Sequence, residues 1–150
     1  MLHNLLALEP ELLARLKTVL AGQTPAVHVL SADDLAGVKE EQQLVPAVHL
    51  LYQGYRVTEA SRADGRAARI EQTWLAVVAT RNVANLKSAD AARAQAGLLA
   101  GQVAKGLMGF KAAGAAGPLK LATAPGAGFN KGYGYLPLAF TVELALTLAV

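Results

Sequence analysis

From Leu138 to the C-terminus, large apolar residues fall on every second position: Leu138, Phe140, Val142, Leu144, Leu146, Leu148 and Val150. Between them stand Ala139, Thr141, Glu143, Ala145, Thr147 and Ala149. A period of two puts the large residues on one face of a sheet and the small or polar ones on the other, so this stretch predicts a long strand. A helix would spread those leucines around its circumference. A membrane-spanning helix would need about 20 apolar residues, without a charge such as Glu143 near its middle, so the pattern opposes an anchor.

Elsewhere the period changes. Leu5, Leu8, Leu12, Leu16 and Val19 recur at steps of three and four, which predicts a helix over about 4–20, irregular near Pro10. AVHVL at 26–30 reads as a short strand, and SADDLAG after it carries capping residues for one helical turn. VPAVHLLYQGY at 45–55 is strand-like, with Pro46 at its start, where a missing donor is tolerated. IEQTWLAVVAT at 70–80 is a further strand, and Asp64-Gly65 lies in the polar stretch RVTEASRADGRAAR between the two, so the pair predicts a long antiparallel hairpin around a loop. From Ser88, the positions Ala92, Ala96, Leu99, Val103 and Leu107 predict a second helix ending near Met108. Gly109, Gly114 and Gly117 stop it; PLKLATA at 118–124 reads as a short strand and PGAGFNKGYG at 125–134 as a glycine-rich loop. The sum is an α+β fold: a mostly antiparallel sheet with two helices packed on one face and a long β-hairpin, in a single domain over 1–150 without repeat or linker.

Composition adds a hint about partners. Charged residues make up only 17% of the chain and hydrophobic ones 53%, sparse enough in charge that some surface is suited to burial against other chains. A net charge of +3 with no dense Lys/Arg tract does not announce nucleic acid or anionic lipid. The absence of cysteine removes disulfides, thiolate nucleophiles and cysteine metal sites, and fits a reducing cytoplasm. The N-terminus lacks the pattern of a secretory signal, so the chain reads as retained and soluble.

Candidate chemistry is thin. His3, His28 and His49 lack the spacing of a compact metal site, and Ser31, Ser61 and Ser88 lack a nucleophile-elbow setting. Glu40-Glu41 and Asp33-Asp34 read as solvated loop charges rather than a general acid and base, whose roles need distinct environments. The sequence therefore nominates no catalytic, cofactor-binding or metal-binding residue. Two features fit contact surfaces instead. The hairpin loop carries Arg56, Arg62, Arg66 and Arg69, whose forked donors suit carboxylates or phosphates on a partner. The glycine-rich stretch carries Gly126, Gly128, Phe129, Lys131 and Tyr133; it feeds a strand, whereas a phosphate-cradling loop opens a helix.

Several segments carry a resemblance. The N-terminal amphipathic helix, the strand Pro46-Ala47-Val48-His49-Leu50, the strand Gln72-Thr73-Trp74-Leu75-Ala76-Val77-Val78, the helix around Gly97-Leu98-Leu99 to Leu107, and Tyr135-Leu136-Pro137-Leu138-Ala139-Phe140 resemble the tail terminator, or tail completion, proteins of long-tailed bacteriophages and Mu-like prophages. The resemblance spans most of the chain. It implies an α+β fold and a homo-oligomer, a ring of six copies at the head-proximal end of the tail tube. There the ring would stop polymerisation of the tail tube protein and offer a surface to the head-tail connector. It implies a location in the virion tail after assembly in the host bacterial cytoplasm, with no enzyme activity and no cofactor. The rival reading is a small cytoplasmic nucleotide- or nucleic-acid-binding domain that uses the glycine-rich stretch or the arginines.

Overall fold

The computed structural model describes residues 4–59, 63–81, 86–130 and 132–147. Helix α1 (Leu8–Val19) begins later than its apolar period predicts, after a tight turn in which the Ala7 amide donates to the Asn4 carbonyl and Glu9 to Leu6. Pro10 lies in the first helical turn, where its missing N–H would have had no intrahelical acceptor. Leu8, Leu12, Leu16 and Leu20 are buried, whereas Leu5 is left exposed by the turn.

Strand β1 (His28–Leu30) leads into a four-residue helix α2 (Ala32–Leu35), and a 3-10 turn (Glu40–Gln42) precedes β2 (Ala47–Glu59). Ser31 caps α2: its Oγ accepts from the Asp34 amide, while the Asp34 carboxylate accepts from the Ser31 amide. Strand β3 (Ala67–Arg81), helix α3 (Leu86–Leu107), β4 (Lys120–Ala122), β5 (Gly128–Asn130) and β6 (Tyr133–Thr147) complete the chain.

The sheet runs β1-β2-β3-β6-β4, and β5 also pairs with β6. All pairings are antiparallel except β1 with β2. Since β3 follows β6 over its whole length, β4 and β5 occupy the opposite edge of β6, at Thr141 to Ala139 and Tyr135 to Tyr133 respectively.

The alternation of β6 is realised as expected. Phe140, Val142 and Leu144 are buried in the core, with Leu136, Leu138 and Leu146 packed against it; Leu148 and Val150 lie outside the described residues. Their neighbours on the same face are Ile70, Trp74, Ala76 and Val78 of β3 and Val48 and Leu50 of β2. Helices α1 and α3 cover this face, α3 through Ala96, Leu99, Val103 and Leu107. They approach closely at Gly106, where an added Cβ would stand 2.5 Å from Val19 Cγ2. Arg15 of α1 fastens the same crossing by donating from Nε to the Gly106 carbonyl at 2.9 Å, with its guanidinium over the Phe110 ring.

The sheet boundaries also differ from the sequence pattern. The polar stretch between the hairpin strands is largely strand: β2 continues to Glu59 and β3 begins at Ala67, so Arg56 and Arg69 belong to the ladder rather than to a loop. Cross-strand pairing holds these polar residues extended where their own side chains signal a loop. The glycine-rich stretch is likewise not all loop, because β5 folds back on the start of β6 with Gly132 at a φ of +83° in the turn. For the same reason β6 starts at Tyr133, five residues before the strict alternation begins.

Candidate assembly surface

The arginine-bearing hairpin arm is built where β2 outruns the core. From Tyr55 to Glu59 every β2 residue is exposed, including the apolar Tyr55 and Val57, and register shifts fall between Tyr52 and Tyr55 and between Val57 and Glu59. Such bulges on an outer strand raise its twist and disfavour casual edge pairing.

On this arm two like charges face each other, since Glu71 of β3 is in register with Glu143 of β6. Directly opposed carboxylates repel. Arg56 Nε donates to Glu71 Oε1 at 3.0 Å and Arg69 Nη1 lies 3.5 Å from Glu143 Oε2, so each carboxylate has its own guanidinium. Two of the four arginines nominated as partner contacts are thus engaged within the chain. Arg66 follows the Asp64-Gly65 turn, where Gly65 has a φ of +75° and the Asp64 side chain accepts from the Arg66 amide. The Arg66 side chain is exposed and has no ion pair among the described residues. Arg62 lies outside the described residues.

The second nominated group sits at the other end of the sheet. Ala67 pairs with Thr147 beside the arm, and Arg81 pairs with Tyr133 at the far end of the same ladder, about 48 Å away at about 3.4 Å per residue. Gly126, Gly128 and Phe129 are exposed there, Tyr133 is buried, and Lys131 lies outside the described residues. Phe129 lies over Gly134, where a Cβ would come within 3.2 Å of the ring. The Arg81 guanidinium stands 5.7 Å above the Tyr133 ring. The structure therefore brings the two groups into two separate surfaces, not one site.

Near the glycine hairpin lies a polar cluster that sequence spacing did not reveal. The Tyr135 hydroxyl donates to Glu40 Oε2 at 2.7 Å and accepts from Gln43 Nε2 at 2.8 Å, and Asn130 Nδ2 donates to the same carboxylate oxygen at 3.2 Å. Glu40 is half-buried, not the freely solvated loop charge its neighbour Glu41 suggests. Burial raises the Tyr135 pKa; the Gln43 bond works against that rise and the Glu40 carboxylate reinforces it. The contacts join residues 90 or more positions apart, which no local motif could signal. Together they pin the 3-10 turn to the β5–β6 hairpin.

His28 and His49 sit on β1 and β2, and His49 is buried with Nε2 unpartnered; burial holds its pKa below the ordinary value. Among the described residues no group of three His, Cys, Asp or Glu side chains could hold a metal ion. No described helix is long and apolar enough to cross a membrane.

A family model described as phage tail terminator protein matches residues 1–148. Among solved structures the chain is similar to one described as a virion of a native gene transfer agent particle, at 18% identity and a TM-score of 0.45, over 87% of this chain and 84% of that one. No curated protein matches the chain.

Proposed function

The chain belongs to the phage tail terminator family, and from that premise we propose that it caps the head-proximal end of a tail tube, ends tube polymerisation and presents the joining surface for the head. Membership makes it a structural protein of a virion tail. The finer role is carried by one observation, the match of the family model to residues 1–148.

The geometry supports this role in two ways. A terminator needs one surface for its tube and another for the head side, and the long β3–β6 ladder separates an arginine-bearing end from an aromatic and glycine-bearing end. A head-to-tail ring of copies, six in this proposal, would keep all arms at one rim and all glycine hairpins at the other. The nucleotide-binding alternative is disfavoured because residues 128–130 form a strand that turns back into another strand, with no helix N-terminus to receive phosphate.

The test is to add purified protein to polymerising tail tube protein and follow tube length. Growth that stops at a length set by the moment of addition supports termination. Tubes that lengthen as they do without the protein would overturn it.

A further inference from the structure

The open edge of β2 lies beside a groove that the arm on the same chain cannot reach. Strand β1 pairs with β2 only at Ala47, Val48 and His49. The alternation that sends the Pro46 carbonyl to the His28 amide sends the Leu50 carbonyl and the main-chain groups of Tyr52 to that same side, beyond the end of β1. No strand continues there among the described residues, and the first register shift comes only after Tyr52, so this short stretch is an undistorted edge.

A groove of about 510 Å³ runs along it. Its floor is Leu50 to Gln53; its walls are the N-terminal turn at Leu6 and the start of α1 at Glu9, and the start of α2, with Asp33. Its only charged lining residues are acidic, and neither Glu9 nor Asp33 makes an ion pair among the described residues. Leu6 adds an exposed apolar contact.

The chain also supplies a complementary object. The connection between β2 and β3 carries Arg62 and Arg66 against one aspartate, Asp64; in its described part, Ala63-Asp64-Gly65-Arg66, the Arg66 side chain is exposed and makes no ion pair among the described residues. Yet from Gln53 to the end of β2 at Glu59 is about 20 Å of strand at about 3.3 Å per residue, so the turn stands well away from its own groove.

We propose that the groove beside Leu50–Gln53 receives the hairpin turn of a second copy of this chain, with Arg66 of that copy against Glu9 and Asp33 and its main chain against the open edge of β2. Used in one direction between neighbours, as this proposal has it, the turn-to-groove contact is heterologous and repeats head to tail, closing when the rotation returns to its start. It rests on the ring reading above and names the contact that makes the ring.

The chain has no cysteine, which makes cross-linking clean. Single variants Asp33→Cys and Arg66→Cys and the double variant D33C/R66C are oxidised at a concentration where the wild type assembles, then separated under denaturing, non-reducing conditions. Each single variant is expected to stay monomeric and the double variant to give a ladder beyond the dimer; with neither cysteine pairing with its own kind in the single variants, that ladder comes from the turn-to-groove contact repeated head to tail. In parallel, E9R/D33R and R62E/R66E are each expected to raise the concentration for half-assembly by about tenfold or more, and their combination in one chain to restore it. Thermal unfolding of every variant is recorded, and a variant that melts early is replaced by E9Q/D33N or R62Q/R66Q, for which a smaller loss of assembly is expected. Rings that form and stop tube growth while D33C/R66C gives no ladder would overturn the groove contact and leave the terminator reading standing. Tube capping lost in E9R/D33R with ring assembly intact would assign the groove to the tube and equally overturn it.

Discussion

The side-chain amide of Gln72 donates to the main-chain carbonyl of Leu5 at 2.6 Å, tying the N-terminal turn to the middle of the sheet. Gln72 is fully buried, and its Oε1 accepts from Trp74 Nε1 at 3.1 Å, so both ends of the amide are used. Replacing Gln72 with leucine strands the Leu5 carbonyl and the indole N–H together. The expected loss is about 1–3 kcal/mol, read by urea unfolding. Unchanged stability would mean the amide is not what fixes the start of α1.

Gly106 is the second such joint. Alanine there sets its Cβ against Val19, and the nearest Val19 atoms include its own Cβ at 3.0 Å, so the helices must separate. Gly106→Ala is expected to cost about 1–3 kcal/mol, although alanine is the better helix former. Gly101 in the same helix meets nothing within 4 Å, so Gly101→Ala serves as the control and should be neutral or stabilising.

His49 gives stability a pH dependence. Its folded pKa lies below the ordinary value of 6.5 because burial disfavours the imidazolium. Below pH 6.5 the unfolded chain binds a proton that the folded chain resists, so its stability contribution is complete above pH 6.5 and is lost as pH falls through the folded pKa. His49→Leu should flatten that part of the profile measured by denaturant unfolding. A parallel decline in both proteins would assign the effect to other groups.

Much of this framework is legible in the chain because it depends on local period. The alternation of β6, the apolar face of α3 and the Asp64-Gly65 turn each signal their element within a few residues. What is not legible depends on pairing at a distance. Arg56 and Arg69 read as loop residues until Glu71 and Glu143 are seen in register, and Glu40 reads as solvent-facing until Tyr135 arrives from 95 residues away. The groove at Leu50 to Gln53 is hidden for the same reason: three elements form it, and none carries a motif.

The arm separates stability from assembly. Arg56→Ser with Arg69→Ser leaves Glu71 facing Glu143 uncompensated, with an expected loss of about 0.2–1 kcal/mol per exposed pair. Adding Glu71→Gln should restore part of it. Arg62→Ser with Arg66→Ser should leave unfolding unchanged while weakening ring formation, seen by sedimentation velocity. Equal effects of the two double variants on both measurements would contradict this division.

Termination is tested most directly at the tube end itself. Tail tubes assembled with gold-labelled protein and imaged by negative-stain microscopy should carry label and a ring-shaped density at one end only, with no further growth from that end when fresh tube protein is supplied. Label scattered along the tubes, label absent from their ends, or labelled ends that keep growing would contradict the role of this chain as the cap.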